Sequence, residues 1–174
     1  MFKLRTLADR FSDLDGITAF ESRENRYSRL RLLSQRGVIT PDTAGRGKVA
    51  HYSLEEAAIA RLCLSLYDAG LDTETLRNLD IAFRPPFAGE EWRHLSSVLK
   101  CIGDGEEWVF EVDRLRDSLG GLGASGRFRR EHHPTFTDDE KAILAQYNVA
   151  QGRKRESTVI LYATDLLRPL LDAQ

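Results

Sequence analysis

Apolar residues recur at helical spacing from the start of the chain. Leu4, Leu7, Ala8, Phe11 and Leu14 fall on one face of a helix over 3–14, and Gly16 interrupts it. Thr18, with Glu21 three residues on, has the pattern of a capping box that opens a second helix. Phe20, Tyr27, Leu30 and Leu33 form its apolar stripe, with Arg23 at the edge. Arg29, Leu32 and Arg36 point away from that stripe, Arg31 and Gln35 flank it, and Gly37 stops the helix.

The period then changes. Val38-Ile39-Thr40 and Val49-Ala50-His51-Tyr52 are β-prone pieces around the turn-rich segment 41–48, which predicts a hairpin with a basic tip, a wing. Ser53 and Glu56 open another helix with Ala57, Ala58, Leu62 and Leu66 on its buried face, and Gly70 ends it. A short helix follows from Asp72 or Thr73, with Leu76, Leu79, Ile81 and Phe83 as its apolar contacts.

Pro85-Pro86 marks the clearest domain boundary, because the residue before a proline is pushed out of the α region. Beyond it the pattern predicts a helix over 90–102 carrying Trp92, a strand over 108–112 and a helix over 137–151 opened by Thr137 and Glu140. Residues 108–119 resemble 159–170: each has five strand-like residues, a capping residue (Asp113 or Thr164) and a leucine-bearing helical stretch. The two are either neighbouring strands or one supersecondary unit used twice. The fold class is therefore mainly α with small β elements, with a helix–wing–helix–helix unit over 1–84, the order expected of a winged helix-turn-helix by the resemblance given below, and a small α+β domain over 88–174.

Charge sharpens this picture. Between positions 23 and 48 seven basic residues (Arg23, Arg26, Arg29, Arg31, Arg36, Arg46 and Lys48) face Glu24 and Asp42, a net +5 on a chain whose total is −2. A basic patch on a nearly neutral protein is a plausible electrostatic footprint for a phosphate backbone. A recognition helix in the major groove, flanked by cations on helix and wing, implies Arg29 as the base reader. Arg31, Arg36, Arg46 and Lys48 are the expected phosphate contacts, with Arg26, Ser28 and His51 beside them and Tyr52 as a hydroxyl donor. Leu32 either touches a thymine methyl or packs under the wing.

Other chemistry is sparse. Cys63 and Cys101 have neither zinc spacing nor a disulfide framework, and Cys63 reads as a buried inert thiol. His132-His133 are adjacent, which disfavours convergence on one metal ion. The RFRR run at 127–130 and Arg153-Lys154-Arg155 read as surface in preference to a second nucleic-acid contact. No nucleophile elbow, phosphate loop or zincin motif occurs, so neither an enzyme nor a cofactor is expected. The opening MFKLRTLADRF lacks a signal-peptide core and no apolar run is long enough for a span, which predicts a cytoplasmic, nucleoid-associated protein without a membrane partner.

The central stretch resembles the MerR family of winged helix-turn-helix transcription regulators. The resemblance runs from Leu30-Arg31-Leu32-Leu33-Ser34-Gln35-Arg36-Gly37-Val38-Ile39-Thr40-Pro41 through His51-Tyr52-Ser53-Leu54-Glu55-Glu56-Ala57 to Leu66-Tyr67-Asp68-Ala69-Gly70-Leu71, and covers residues 1–83. It implies sequence-specific binding of double-stranded DNA in transcriptional control. Three departures stand out: Leu32-Leu33 replace the family's paired tyrosines, the link between the first helix and the recognition helix is about ten residues longer than the family's, and Pro85-Pro86 interrupt its dimerising coiled-coil helix. A homodimer would then be made by the C-terminal half, from strands 108–112 and 159–162 and the leucines 166, 167, 170 and 171. Two other readings stand beside this one: a phage or mobile-element DNA-binding accessory protein, and a protein–protein adaptor whose winged domain no longer binds DNA.

Overall fold

A computed structural model of the protein describes residues 1–42, 49–84, 95–131 and 152–172, about half of them helical and the rest including a small antiparallel sheet. The chain divides into two compact units, Met1–Arg77 with Leu166–Gln174, and Asn78–Asp165.

In the first unit, α1 (Leu4–Leu14) turns at Gly16 into α2 (Phe20–Gln35). The expected Thr18 cap is not used. Ala19 occupies the N-cap position of α2 without a side-chain bond. α2 buries only Leu30 and Leu33 and leaves Phe20 exposed, so it lies along the surface. α3 (Leu54–Asp68) is the opposite case: residues 56–64 are all buried, which marks it as the central helix. Its start follows the predicted box by half. Ser53 Oγ accepts from Glu56 N at 3.2 Å, while the Glu56 carboxylate accepts from Thr40 N at 2.7 Å instead of reaching back. α4 (Thr73–Arg77) starts where Asp72 Oδ1 accepts from Thr75 N at 2.8 Å.

α2 and α3 end alike. Gly37 and Gly70 have φ of +70° and +87°, and the residue after each returns a backbone bond to the helix (Val38 N to Leu33 O, 2.9 Å; Leu71 N to Leu66 O, 3.1 Å). Both closing pairs, Val38 with Leu33 and Leu71 with Leu66, are buried, so each turn joins a hydrogen-bonded stop to an apolar one. This corrects the first strand of the expected hairpin, whose tip at 43–48 lies outside the described residues. Val38 N is spent on the helix stop and Thr40 N on Glu56, so neither donates to a strand ladder. Instead β2 (His51–Tyr52) pairs antiparallel with β1 (Phe2–Lys3), Phe2 opposite Tyr52 and Lys3 opposite His51.

The second unit contains α5 (Asp80–Phe83), α6 (Leu95–Gly103) and three strands, β3 (Trp108–Arg116), β4 (Leu122–Arg130) and β5 (Lys154–Tyr162). The sheet order is β4-β3-β5, antiparallel throughout. The similar segments at 108 and 159 are thus neighbouring strands, Val112 facing Val159. They are not one unit repeated. Asp113 caps no helix: it sits mid-strand, where its carboxylate accepts from Thr158 Oγ1 (2.6 Å) and Arg127 Nη1 (3.1 Å). Those partners make a polar residue tolerable there, and the strand continues to Arg116. Nor does Thr164 cap the last helix, α7 (Ala163–Leu171); its hydroxyl accepts from Trp108 N at 2.7 Å. Leu167 and Leu170 are fully buried, and Arg10 donates to the carbonyls of Pro169 and Leu170 at 3.2 Å each, so they do not form a free apolar patch.

The Gly-rich and basic run after residue 120 builds β4. Gly126 lies opposite Val112, on the face where Phe83, Phe110 and Phe128 gather with ring centroids 4.6 to 6.3 Å apart. A Cβ at Gly126 would come within 2.7 Å of the Phe110 ring and 3.1 Å of Ala82 and Leu79. Glycine is what lets α5 approach the sheet so closely. Pro85-Pro86, Trp92, His132-His133 and the expected helix over 137–151 lie outside the described residues.

Gly126→Ala should destabilise the second unit by about 1–3 kcal/mol, because the overpacked atoms are a rigid ring and a helix. Urea denaturation followed by fluorescence of a Trp92→Phe background, in which Trp108 is the remaining tryptophan, will check this; an unchanged midpoint contradicts the close approach.

Candidate nucleic-acid interface

The turn between α1 and α2 is held by charge. Asp15 is the C-cap residue of α1, where the helix dipole disfavours an anion. Arg61, from the central helix, grips both its oxygens, with Nη1 to Oδ2 at 2.8 Å and Nη2 to Oδ1. Arg26 of α2 binds Oδ2 as well and donates to Phe11 O at 2.8 Å. Arg61 is 7% exposed and its guanidinium lies 5.4 Å from the centroid of the Phe11 ring. The Arg61 bonds, with those of Arg26 next, hold the Asp15 carboxyl down at about 2 against its ordinary 3.8.

This clasp, and pairs like it, sort the basic residues of α2. Arg23 pairs with Asp13 and donates to Ile17 O at 2.9 Å. Arg26 is 13% exposed and committed to Asp15 and Phe11, which removes it from the candidate interface. Arg29 does not point freely outward. It pairs with Asp68 at the end of α3 and lies over the Tyr67 ring at 5.4 Å. That pair is 36% and 47% exposed, so it holds Arg29 by at most about 1 kcal/mol. Arg31 and Arg36 are exposed, and no ion pair is formed by either among the described residues.

The exposed side of α2 can therefore be read directly. Ser28, Arg31, Leu32, Gln35 and Arg36 follow helical spacing; all are exposed except the half-buried Leu32. Asn25 continues the row toward the N-terminus. The apolar pattern leaves out Asn25 and places Gln35 only as a flank, because apolar periodicity locates what a helix buries and says little about an amide. Helical spacing reaches both, three residues before Ser28 and three after Leu32.

β2 stands beside the end of this helix. The Tyr52 hydroxyl shares a 2.7 Å hydrogen bond with Ser34 Oγ, and Tyr52 is 2% exposed, so it is a packing residue and not a phosphate donor. Asp42 N donates to His51 O at 2.8 Å, joining the two points where the chain departs toward and returns from 43–48. His51 is half-buried in β2, while Arg46 and Lys48 lie outside the described residues.

In the second unit the basic run of β4 is paired with acids. Arg127 and Arg129 bind Glu111 at 2.9 and 3.2 Å, Arg127 also reaches Asp113, and Arg130 binds Glu106 at 3.0 Å. The arginines of RFRR are thus paired with two acids of β3 and with Glu106 just before it. Among the described residues, no group of three or more His, Cys, Asp or Glu could hold a metal ion, and no helix is long and apolar enough to cross a membrane.

No family model matches the chain, and no curated protein matches it.

Asp15→Asn should cost roughly 3 kcal/mol at pH 7, since it leaves the Arg61 charge buried without its carboxylate. Because the folded carboxyl titrates near 2 and the free group near 3.8, this contribution is complete above about pH 4 and is lost as pH falls through about 2. Urea midpoints at pH 7 and pH 2 should therefore differ between wild type and variant at the first and converge at the second. An equal gap at both pH values contradicts the clasp.

Proposed function

We propose that the first unit binds double-stranded DNA through the outward side of α2, and that the protein is a sequence-specific transcription regulator of the MerR-like winged helix-turn-helix kind, acting at the nucleoid. The observation that carries this reading is a division of labour among arginines. Arg23, Arg26 and Arg29 are each paired with a carboxylate, whereas Arg31 and Arg36 stand exposed beside an amide, a hydroxyl and an isobutyl group. Guanidinium to guanine, amide to adenine and alkyl to the thymine methyl are the side-chain pairings of the major groove. Tyr52 is tied to Ser34 at the same end of α2 as Arg36; Arg46 and Lys48, which lie outside the described residues, are kept as proposed phosphate contacts on their charge alone.

Arg31 replaces Arg29 as the proposed reader, because Arg29 rests on Tyr67 and Asp68. Arg31→Ala should weaken binding by roughly 1–3 kcal/mol and relax preference at one base position. Arg29→Ala should change affinity by less than about 1 kcal/mol. Affinity should also fall steeply with salt as Arg and Lys contacts release counterions. Titrations across single-base operator variants, selected first from a random-sequence library, measure all three. A uniform loss for Arg31→Ala rejects it as the reader, and a salt slope near zero rejects phosphate binding.

A single recognition helix reads few base pairs, so a homodimer is part of the proposal. Among the described residues β5 pairs with β3 alone, and Ile160 and Tyr162 on it are 48% and 56% exposed. An apolar edge strand is a ready pairing surface. Sedimentation at tens of micromolar should give a dimer for the full chain and a monomer for Ile160→Asp; a monomeric wild type contradicts this part.

A further inference from the structure

A cavity of about 380 Å³ lies in the second unit, against α5 and the β3–β4 turn. Its lining is amphipathic. Ile81, Leu115 and Leu122 give apolar walls, and Asn78 and Arg153 supply polar groups. Ile81 is 66% exposed and Leu122 46% exposed, so two large apolar side chains that face water meet at this one place. Scattered exposed apolar residues are ordinary, but two converging on a concave surface are what a ligand's apolar body covers.

Arg153 sets the sign of the ligand. Arg116 pairs with Glu156, Arg127 and Arg129 with Glu111, and Arg130 with Glu106, but Arg153 forms no ion pair among the described residues. Among the described residues the lining carries one carboxylate, Asp117, and it is already engaged. Its Oδ1 accepts from Leu119 N at 2.9 Å and Gly121 N at 2.7 Å, which shapes the β3–β4 turn. Asp117 is thus a turn-forming residue, and Arg153 keeps a free planar fork at the cavity.

We infer that this cavity binds a small carboxylate with a compact apolar body, the carboxylate held by Arg153 and Asn78 and the body by Ile81, Leu115 and Leu122. A guanidinium meets a carboxylate with two parallel hydrogen bonds, a geometry that an alcohol cannot match. An acid without an apolar body would leave the two exposed walls uncovered. The assignment stands on the second unit alone and does not depend on DNA binding.

Amide shift mapping of the full chain, without DNA, tests it with three probes: benzoate, benzyl alcohol and acetate. Benzoate should give saturable shifts at 78–82 and 121–124, with the alcohol and acetate each weaker by about tenfold or more. Arg153→Gln, an exposed change, should weaken benzoate by about the same factor, and Ile81→Gln should weaken benzoate while leaving acetate unchanged. Absence of saturation with benzoate at tens of millimolar overturns the inference. So does equal affinity for the three probes, or an Arg153→Gln variant that binds benzoate as wild type does.

Discussion

Asp15 carries a constraint on which the first unit depends. A carboxylate at a helix C-terminus is badly placed with respect to the dipole, and an arginine within a fully buried stretch of helix is badly placed with respect to solvent. Each resolves the other's problem. By adding Arg26, the same carboxylate fixes α2 against both α1 and α3. α2 needs this anchor because its own apolar burial is slight, Leu30 and Leu33 alone. Two buried leucines locate a helix; the ion cluster fixes its rotation.

That rotation is what bears on function. With Arg26 turned inward to Phe11 and Asp15, helical geometry directs Ser28, Arg31, Gln35 and Arg36 away from the core. The same fixing takes three cations out of the basic window. A net charge of +5 between 23 and 48 is therefore a poor measure of the surface. Acids from other elements, Asp13, Asp15 and Asp68, neutralise Arg23, Arg26 and Arg29. What a partner meets is a smaller cationic set with polar and apolar groups between, a composition suited to reading bases as well as holding phosphates.

Much of the architecture was legible in the chain because local chemistry and tertiary structure agree. The periodicity of Leu4, Leu7 and Phe11, the glycine stops at Gly37 and Gly70 and the Ser53 cap all appear where the pattern places them. The pattern failed where long-range pairing decides. Val38 and Ile39 are β-prone, yet their stretch spends its N–H groups on Leu33 and Glu56, while a strand at the N-terminus pairs with His51 and Tyr52. Asp113 resembles a cap only until Arg127 and Thr158 arrive from neighbouring strands. β4 was hidden because its glycines suggest a loop, when one of them is there to admit α5. For the candidate interface the residue types were legible and the orientations were not, since which arginine is free depends on carboxylates distant in sequence.

The DNA-contacting surface proposed for this protein is the outward side of α2. Methyl and amide shift mapping of the full chain with a short duplex puts that assignment to the test. Saturable shifts are expected at Asn25, Ser28, Arg31, Leu32, Gln35 and Arg36, with Arg26 and Arg61 unmoved. Saturable shifts centred elsewhere, or none at low salt, would contradict it.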